Sequence, residues 1–205
     1  MTFKKAHYKV VKNALTKDMS TFFCNYFLNK RYLTYVLMQN KYINPSETMF
    51  GTFGDGQVPN TYAIYADLAF ETLLQHLKPT MEKETNLKLV PTYSYARLYK
   101  KGDVLKRHTD RHECDVSTTL YLGGQKWPLY LDPTGKTGGK GIKVDLGPGD
   151  MLLYRGCGLE HWREPFTGDD CAQVFLHYNK KGKKANAFDS RPMLGLPMFF
   201  KNSKK

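Results

Sequence analysis

The chain has 205 residues, of which 41% are hydrophobic and 14% aromatic. It is long enough to bury a core of its own and too apolar for a disordered protein. Its formal net charge is +12, from 31 Lys and Arg against 19 Asp and Glu, so an acidic protein and a nucleic acid are both open as partners. No apolar run approaches the roughly 18 residues that a membrane span requires, and no membrane partner is expected.

Four cysteines are spread along the chain without a C-x-x-C pair: Cys24, Cys114, Cys157 and Cys171. This spacing disfavours both a zinc ribbon and a disulfide framework, and it is typical of a reducing compartment. The first residues, MTFKKAHYKVVKN, carry charge but lack the apolar core of a secretory signal. We therefore expect a cytoplasmic location.

Residues 1–90 are predicted to be mainly helical and to support the rest of a single domain over 1–205. Apolar residues recur at helical spacing between Thr16 and Asn40, namely Met19, Phe22, Phe23, Tyr26, Phe27, Leu33, Val36 and Leu37, and this stripe is predicted to face the core. After a loop rich in Gly and Pro, Asn60 is predicted to cap a second helix. Its buried side carries Tyr62, Ala66, Ala69, Phe70, Leu73, Leu74 and Leu77. Pro79 is predicted to bend or end that helix.

Residues 91–180 are typical of a β-structure. Short runs rich in β-branched and aromatic residues alternate with Gly, Pro and Asp turns: TYSYARLYKKGDVLKRHTD, VSTTLYLGG, WPLYLDP, KVDLGPGDMLLYRG and CAQVFLHYN. Such spacing favours a sandwich or a small barrel, and the lack of βαβ alternation argues against a parallel sheet. The predicted fold class is α+β, mainly β, with the N-terminal helices on one face of an antiparallel barrel and a basic C-terminal segment over 181–205.

A candidate metal site begins in the stretch KRHTDRHECD. His108 and Asp110 are two residues apart, so their side chains share one face of an extended segment. His161, in GLEHWREP, is well removed in sequence but can return beside them in a barrel. Two histidines and one carboxylate on one face of an octahedral ion are typical of non-haem Fe(II) sites. His112 is an alternative third imidazole, although its use would leave His161 without a role.

These motifs resemble those of the 2-oxoglutarate- and Fe(II)-dependent oxygenases. YKKGDVLKRHTD is similar to the segment Y-x-x-G-x-x-x-x-x-H-x-D of the prolyl-4-hydroxylase-like branch, and VDLGPGDMLLYRGCGLEHWREP is similar to its turn, strand and distal-histidine segment. The resemblance implies a double-stranded β-helix, or jelly-roll, barrel. It implies His108, Asp110 and His161 as catalytic metal ligands. It also implies Fe(II), O2 and 2-oxoglutarate as cofactors and co-substrate, with ascorbate as an optional reductant, and an activity that couples 2-oxoglutarate decarboxylation to hydroxylation.

The chain departs from this branch at the cation that holds the distal carboxylate of 2-oxoglutarate. Cys171 or Gln173 occupies the strand position where the branch has a base. We predict that Arg163, two residues beyond His161, replaces that base, and that Gln173 adds a hydrogen bond. Arg155 and Arg97 are the alternatives to Arg163. Tyr99 and Tyr121 lie where tyrosines of the family reach the co-substrate.

The resemblance suggests that the substrate is a prolyl or other amino-acid side chain, and a protein or peptide is favoured over a small molecule. A nucleic acid stays open because of the +12 charge. The alternative function is a non-catalytic barrel module that binds a metal or ligand and associates with an acidic partner.

Overall fold

The computed structural model of the protein describes residues 2–182 and 186–201. In chain order its elements are α1 (Phe3–Ala6), β1 (Tyr8–Val11), α2 (Lys17–Gln39), β2 (Tyr62–Tyr65), α3 (Leu68–Thr85), β3 (Leu89–Lys100), β4 (Leu105–His108), β5 (Val116–Gly124), β6 (Leu129–Leu131), β7 (Ile142–Val144), β8 (Met151–Tyr154), β9 (His161–Arg163), β10 (Asp170–Lys180) and two 3-10 turns, Ala187–Ser190 and Met198–Phe200. Residues 183–185 and 202–205 of the predicted basic segment lie outside the described residues.

The strands form two antiparallel sheets. The larger sheet has the order β1-β8-β5-β10-β3-β2, and the smaller one has the order β4-β9-β6-β7. Side chains of both sheets meet in one buried layer, which contains Tyr99 and Tyr154 from the larger sheet and Leu105 and Leu129 from the smaller. Two facing antiparallel sheets with few helices are the predicted mainly-β, double-stranded β-helix fold, and that prediction is confirmed.

The helices cover the outer face of the larger sheet. Phe27 of α2 and Phe70 and Leu74 of α3 are fully buried there against Leu120 and Val174 of the sheet. Burying each such side chain is worth about 1.5–3 kcal/mol relative to leaving it in water. These contacts anchor the helices on the larger sheet, and the opposite face of that sheet lines the space between the two sheets.

The predicted first helix is confirmed, but part of its apolar stripe does not face the core. Thr16 caps α2, because its hydroxyl accepts a hydrogen bond from the amide of Met19 at 3.2 Å. Phe22 is 67% exposed and Leu33 47%, so their predicted burial is wrong. The helix contacts the sheet through the side that carries Phe27, and the helical period turns the other two residues towards solvent.

The predicted start of the second helix is wrong. Asn60 caps no helix, and Tyr62–Tyr65 form the edge strand β2, paired with β3. The helix begins at Leu68 instead, where the carboxylate of Asp67 accepts from the amides of Ala69 and Phe70. It also continues through Pro79 to Thr85, since packing of the buried residues on both sides of Pro79 offsets the missing hydrogen bond.

The first third of the chain supplies sheet edges as well as helices. β1 pairs with β8 at one edge of the larger sheet, and β2 pairs with β3 at the other. Antiparallel pairing with a distant strand, which local periodicity does not report, decides the conformation of both segments.

All four cysteines are free thiols. None of the described helices is both long and apolar enough to cross a membrane.

The segment after β10 returns across the molecule and is tied to α3. Arg191 and Glu71 form an ion pair whose side chains are both 0% exposed, with Nη2 and Oε1 2.6 Å apart. Asp189 accepts hydrogen bonds from Tyr65 and Arg111, each at 2.6 Å. These contacts bring the C-terminal segment to the open end of the space between the sheets.

Candidate metal centre

Strands β4 and β9 bring the two predicted histidine ligands together. His108 and His161 are direct cross-strand partners, and their ring centroids are 4.2 Å apart. Asp110 follows β4, and its Oδ1 lies 3.5 Å from Nε2 of His161 and 3.9 Å from Nε2 of His108. One ligand atom from each residue lies within 4.8 Å of the other two. Three donors at this separation can surround a single ion.

Main-chain carbonyls orient both imidazoles. Nδ1 of His108 lies 2.7 Å from the carbonyl of Lys106, and Nδ1 of His161 lies 3.1 Å from the carbonyl of Leu159. A carbonyl can only accept, so Nδ1 carries the proton and Nε2 presents its lone pair. The tautomer that a metal needs is therefore fixed by the backbone.

The carboxylate of Asp110 is held from behind. The Ser117 hydroxyl donates to its Oδ2 at 2.6 Å and lies 3.0 Å from Nδ1 of His177. The amide of Asp110 donates to the carbonyl of Gly156 at 2.9 Å, and Gly156 packs so closely on Asp110 and Ser117 that a side chain there would clash. Oδ2 is thus occupied and Oδ1 faces the histidines.

Electrostatics keep this donor set in the metal-binding protonation state. Burial would raise the pKa of Asp110, but the neighbouring His161 and His177 and the Ser117 hydrogen bond lower it below its usual range. Burial, together with the neighbouring His161, lowers the pKa of His108 to about 4. At neutral pH the site therefore presents a neutral imidazole at His108 and a carboxylate at Asp110.

The alternative ligand His112 is not part of this cluster. Its side chain is 90% exposed, and its Nε2 lies 2.8 Å from the carboxylate of Glu113. His177 was not identified from the sequence, although it lies within reach of Asp110 together with Cys114. Burial and Asp110 raise the pKa of the Cys114 thiol above its ordinary range, and the hydroxyl of Ser117 connects His177 to Oδ2 of Asp110.

A cavity of about 300 Å³ opens beside the three candidate ligands, His108, Asp110 and His161. Besides them it is lined by Gln57, Tyr65, Tyr93, Tyr95, Arg97, Leu105, Arg111, Tyr154, Phe175, His177 and Met198. Most of these come from the inner face of the larger sheet, while Met198 comes from the C-terminal segment. The cavity combines aromatic walls with a few polar groups, as small-molecule and side-chain sites commonly do.

Arg97 lines this cavity but is already paired. Its guanidinium binds both oxygens of Asp55, with Nη2 3.2 Å from Oδ1, and Nη2 also donates to Oε1 of Gln57 at 2.6 Å. This pair anchors the Gly- and Pro-rich loop over the cavity. Arg155 lies elsewhere, in a separate cavity with Phe3 and His7. Neither alternative anchor is thus an available cation beside the metal centre.

Arg163, in contrast, is a buried cation without an acidic partner among the described residues. It is 1% exposed and reaches from β9 of the smaller sheet towards Thr119 of the larger sheet. Nη1 donates to the carbonyl of Trp127, Nη2 is 3.5 Å from the Thr119 hydroxyl, and Nε has no partner. Burial lowers the pKa of Arg163, which records the cost of holding this charge without an anion. The guanidinium has hydrogen bonds to spare for one.

The other residues predicted to contact the co-substrate lie around Arg163. Tyr99 is completely buried, and its hydroxyl is 3.4 Å from Nη1 of Arg97. Gln173 accepts from Thr119 at 3.1 Å, so it reaches Arg163 through that hydroxyl. Tyr121 faces the same space, but its hydroxyl donates to the carbonyl of Gly124 at 2.6 Å. Arg163 lies deeper than the open cavity, next to Leu105 and Tyr154, which line it.

The donor set fits a first-row divalent metal of the iron type. Two imidazole nitrogens and one carboxylate oxygen beside a cavity match the 2-His-1-carboxylate donor set that non-haem Fe(II) sites use. Nε of Arg163 has no hydrogen-bond partner, so it can donate a charge-assisted hydrogen bond to a bound carboxylate.

Comparisons with known proteins support the fold. No protein-family model matches the chain, and no curated protein matches it by sequence. A Pseudomonas putida prolyl-4-hydroxylase aligns with 88% of this chain and 96% of its own, with a TM-score of 0.57 and 15% identity. HygX from Streptomyces hygroscopicus, with nickel and 2-oxoglutarate bound, aligns with 87% of this chain and 85% of its own, at 0.60 and 15%.

A third structure is a prolyl hydroxylase from Trichoplax adhaerens in complex with a peptide fragment of hypoxia inducible factor. It aligns with 86% of this chain and 85% of its own, with a TM-score of 0.57 and 14% identity. The chain therefore has the fold of the 2-oxoglutarate- and Fe(II)-dependent oxygenases. Prolyl-4-hydroxylases are among the proteins that share it.

Proposed function

We propose that the protein is a 2-oxoglutarate-dependent oxygenase that hydroxylates an amino-acid side chain, prolyl or other, of a protein or peptide. The observation that carries this proposal is the convergence of His108, Asp110 and His161 on one cavity. Support for a peptide substrate comes from the Trichoplax prolyl hydroxylase, which shares the fold and was solved with a peptide.

In this proposal Nε2 of His108, Nε2 of His161 and Oδ1 of Asp110 hold Fe(II). When bound there, iron supplies the activation of O2 that couples decarboxylation of 2-oxoglutarate to hydroxylation. Ser117 keeps Asp110 oriented, and the carbonyls of Lys106 and Leu159 keep both imidazoles in the binding tautomer. The protein thus contributes hydrogen-bond partners that orient all three proposed ligands.

Arg163 is proposed to bind the distal carboxylate of 2-oxoglutarate. Its unpaired Nε and its buried position let it form a charge-assisted pair in a water-poor space. Tyr99, Tyr121 and Tyr154 are buried close to the guanidinium, and Tyr99 adds a hydroxyl there. The wider cavity, with its aromatic walls and Met198, is left for the side chain of the substrate.

An anaerobic titration tests this function. Adding 2-oxoglutarate to the Fe(II)-loaded protein should give a visible charge-transfer band that disappears when O2 is admitted. The Asp110→Ala variant should give no band, whereas His112→Ala should behave as wild type because His112 lies in solvent. If wild type gives no band, the oxygenase is refuted and the non-catalytic module is supported, in line with the uncharged Cys171 and Gln173 on β10.

A further inference from the structure

A second, polar groove of about 630 Å³ adjoins the catalytic cavity. Its lining comes from the loop before β2, from the end of β3 and the turn that follows it, and from β4. These residues are Gly56, Gln57, Val58, Pro59, Lys100, Lys101, Gly102, Asp103, Val104, Lys106 and His108. Gln57 and His108 line the cavity as well. The groove therefore leads directly to one of the proposed metal ligands.

The groove carries an uncompensated positive charge. Lys100 pairs with Asp103, whose Oδ2 also accepts from Thr61 at 2.6 Å, so those two charges cancel. Lys101 and Lys106 are exposed and form no ion pair with any described residue. Asp103 is the one carboxylate in the lining. Two free ammonium groups beside a cavity attract an anionic partner.

The walls of the groove favour a peptide over a nucleic acid. Val58, Pro59 and Val104 are its apolar members, and its lining contains no Phe, Tyr or Trp. Single-stranded nucleic acids bind in grooves that pair positive charge with aromatic platforms for base stacking. In an acidic peptide, the carboxylate side chains can pair with the ammonium groups while the backbone packs against the aliphatic walls.

We propose that this groove binds an acidic segment of the polypeptide substrate and places a neighbouring residue in the catalytic cavity. Lys101 and Lys106 are the residues that recognise the acidic segment. His108 lines both the groove and the cavity, so it marks where the substrate polypeptide passes the proposed metal centre. The proposal rests on the proposed function for its purpose, but peptide binding itself needs neither metal nor turnover.

Fluorescence anisotropy with a fluorescein-labelled peptide of ten glutamates tests the groove in metal-free protein. The double variant Lys101→Glu, Lys106→Glu should bind at least about tenfold more weakly than wild type at low salt, where exposed charges are least screened. The control is Lys17→Glu, Lys126→Glu, which makes the same change in net charge at two exposed lysines outside the groove. It should keep most of the wild-type affinity.

Three outcomes would overturn the proposal. The first is an equal loss of affinity in the control, which would mean that only net charge matters. The second is a wild-type protein that does not bind the peptide. The third is a labelled ten-nucleotide oligothymidylate whose binding, unlike that of the peptide, depends on Lys101 and Lys106. Since the charge-transfer assay is separate, an active oxygenase without peptide binding, and a binding protein without activity, are both recognisable.

Discussion

His161 and Arg163 lie on the same side of β9, and both are buried, at 3% and 1% exposure, while Trp162 between them faces outwards. Two residues along a strand span about 6.6 Å. One three-residue strand therefore carries the proposed metal ligand and the proposed anchor of 2-oxoglutarate on the same side, a short distance apart.

The proposed metal site predicts a sharp difference between two histidines, His108 and His112, in Mn(II) binding. His108→Ala should weaken Mn(II) binding at least about tenfold, because the altered site keeps two of its three donors. His112→Ala should leave Mn(II) affinity unchanged, since that side chain is exposed. Isothermal titration calorimetry of both variants measures this. Equal losses, or a loss in His112→Ala alone, would contradict the assignment.

The support behind Asp110 offers a second test with a neighbouring control. Ser117→Ala removes the hydrogen bond to Oδ2 of Asp110, and the loss of such an outer partner is expected to lower Mn(II) affinity about 10–100-fold. Thr118→Val is the control, because the buried Thr118 hydroxyl has no hydrogen-bond partner. That change should leave the metal affinity as it is and keep or raise the free energy of unfolding. Wild-type affinity in Ser117→Ala would show that Asp110 needs no such support.

Local sequence spacing was sufficient to predict much of this site. His108 and Asp110 share a face because they are two apart in an extended segment, and Arg163 follows His161 by the same rule. The strand runs after residue 91 likewise identified β5, β6, β8 and β10. These features depend on the period of a strand, which is visible within a few residues.

The groups that complete the site could not be predicted in that way. Ser117 supports Asp110 only because β5 and β10 pair in a register that places it opposite His177. Arg97 was a credible anchor until Asp55, from a distant loop, proved to be its partner. The chain has 50 charged residues, 31 basic and 19 acidic. Their composition alone does not show which of them form ion pairs in the folded protein. The misplaced start of α3 has the same origin, since β2 exists through its pairing with β3.

Two histidines with a lowered pKa, His108 and His177, predict acid sensitivity of the metal-free protein. Burial lowers the pKa of His108 and of His177 to about 4, from an ordinary value of 6.5. Between these pH values the unfolded chain takes up protons at both residues while the folded protein does not. The free energy of unfolding should therefore fall as the pH falls from 6.5 towards 4. The expected slope is about 1.4 kcal/mol per pH unit for each histidine. Above pH 6.5 these two residues should add no pH dependence.

Urea unfolding at intervals between pH 7.5 and pH 4.5 measures this slope. His177→Phe should remove roughly half of it, because one of two titrating groups is lost while the ring can still stack on Tyr93. His112→Ala is the control and should keep the wild-type slope. A free energy of unfolding that does not change across the window would mean that the two histidines are protonated in the folded protein.

The unpaired Arg163 predicts opposite effects of one substitution on binding and on stability. Arg163→Met should weaken 2-oxoglutarate binding to the Fe(II) protein roughly 30-fold or more, since losing one partner of a buried charge pair costs about 2–5 kcal/mol. Arg163→Lys should recover only part of the affinity, because an ammonium keeps the charge but loses the fork.

Without 2-oxoglutarate, Arg163→Met should unfold no more easily than wild type, as a well-packed apolar side chain then replaces a buried cation that has no carboxylate partner among the described residues. Anaerobic titration of the charge-transfer band and urea unfolding measure the two effects, with Arg155→Met, outside the site, as the control. Wild-type affinity in Arg163→Met would reject Arg163 as the anchor.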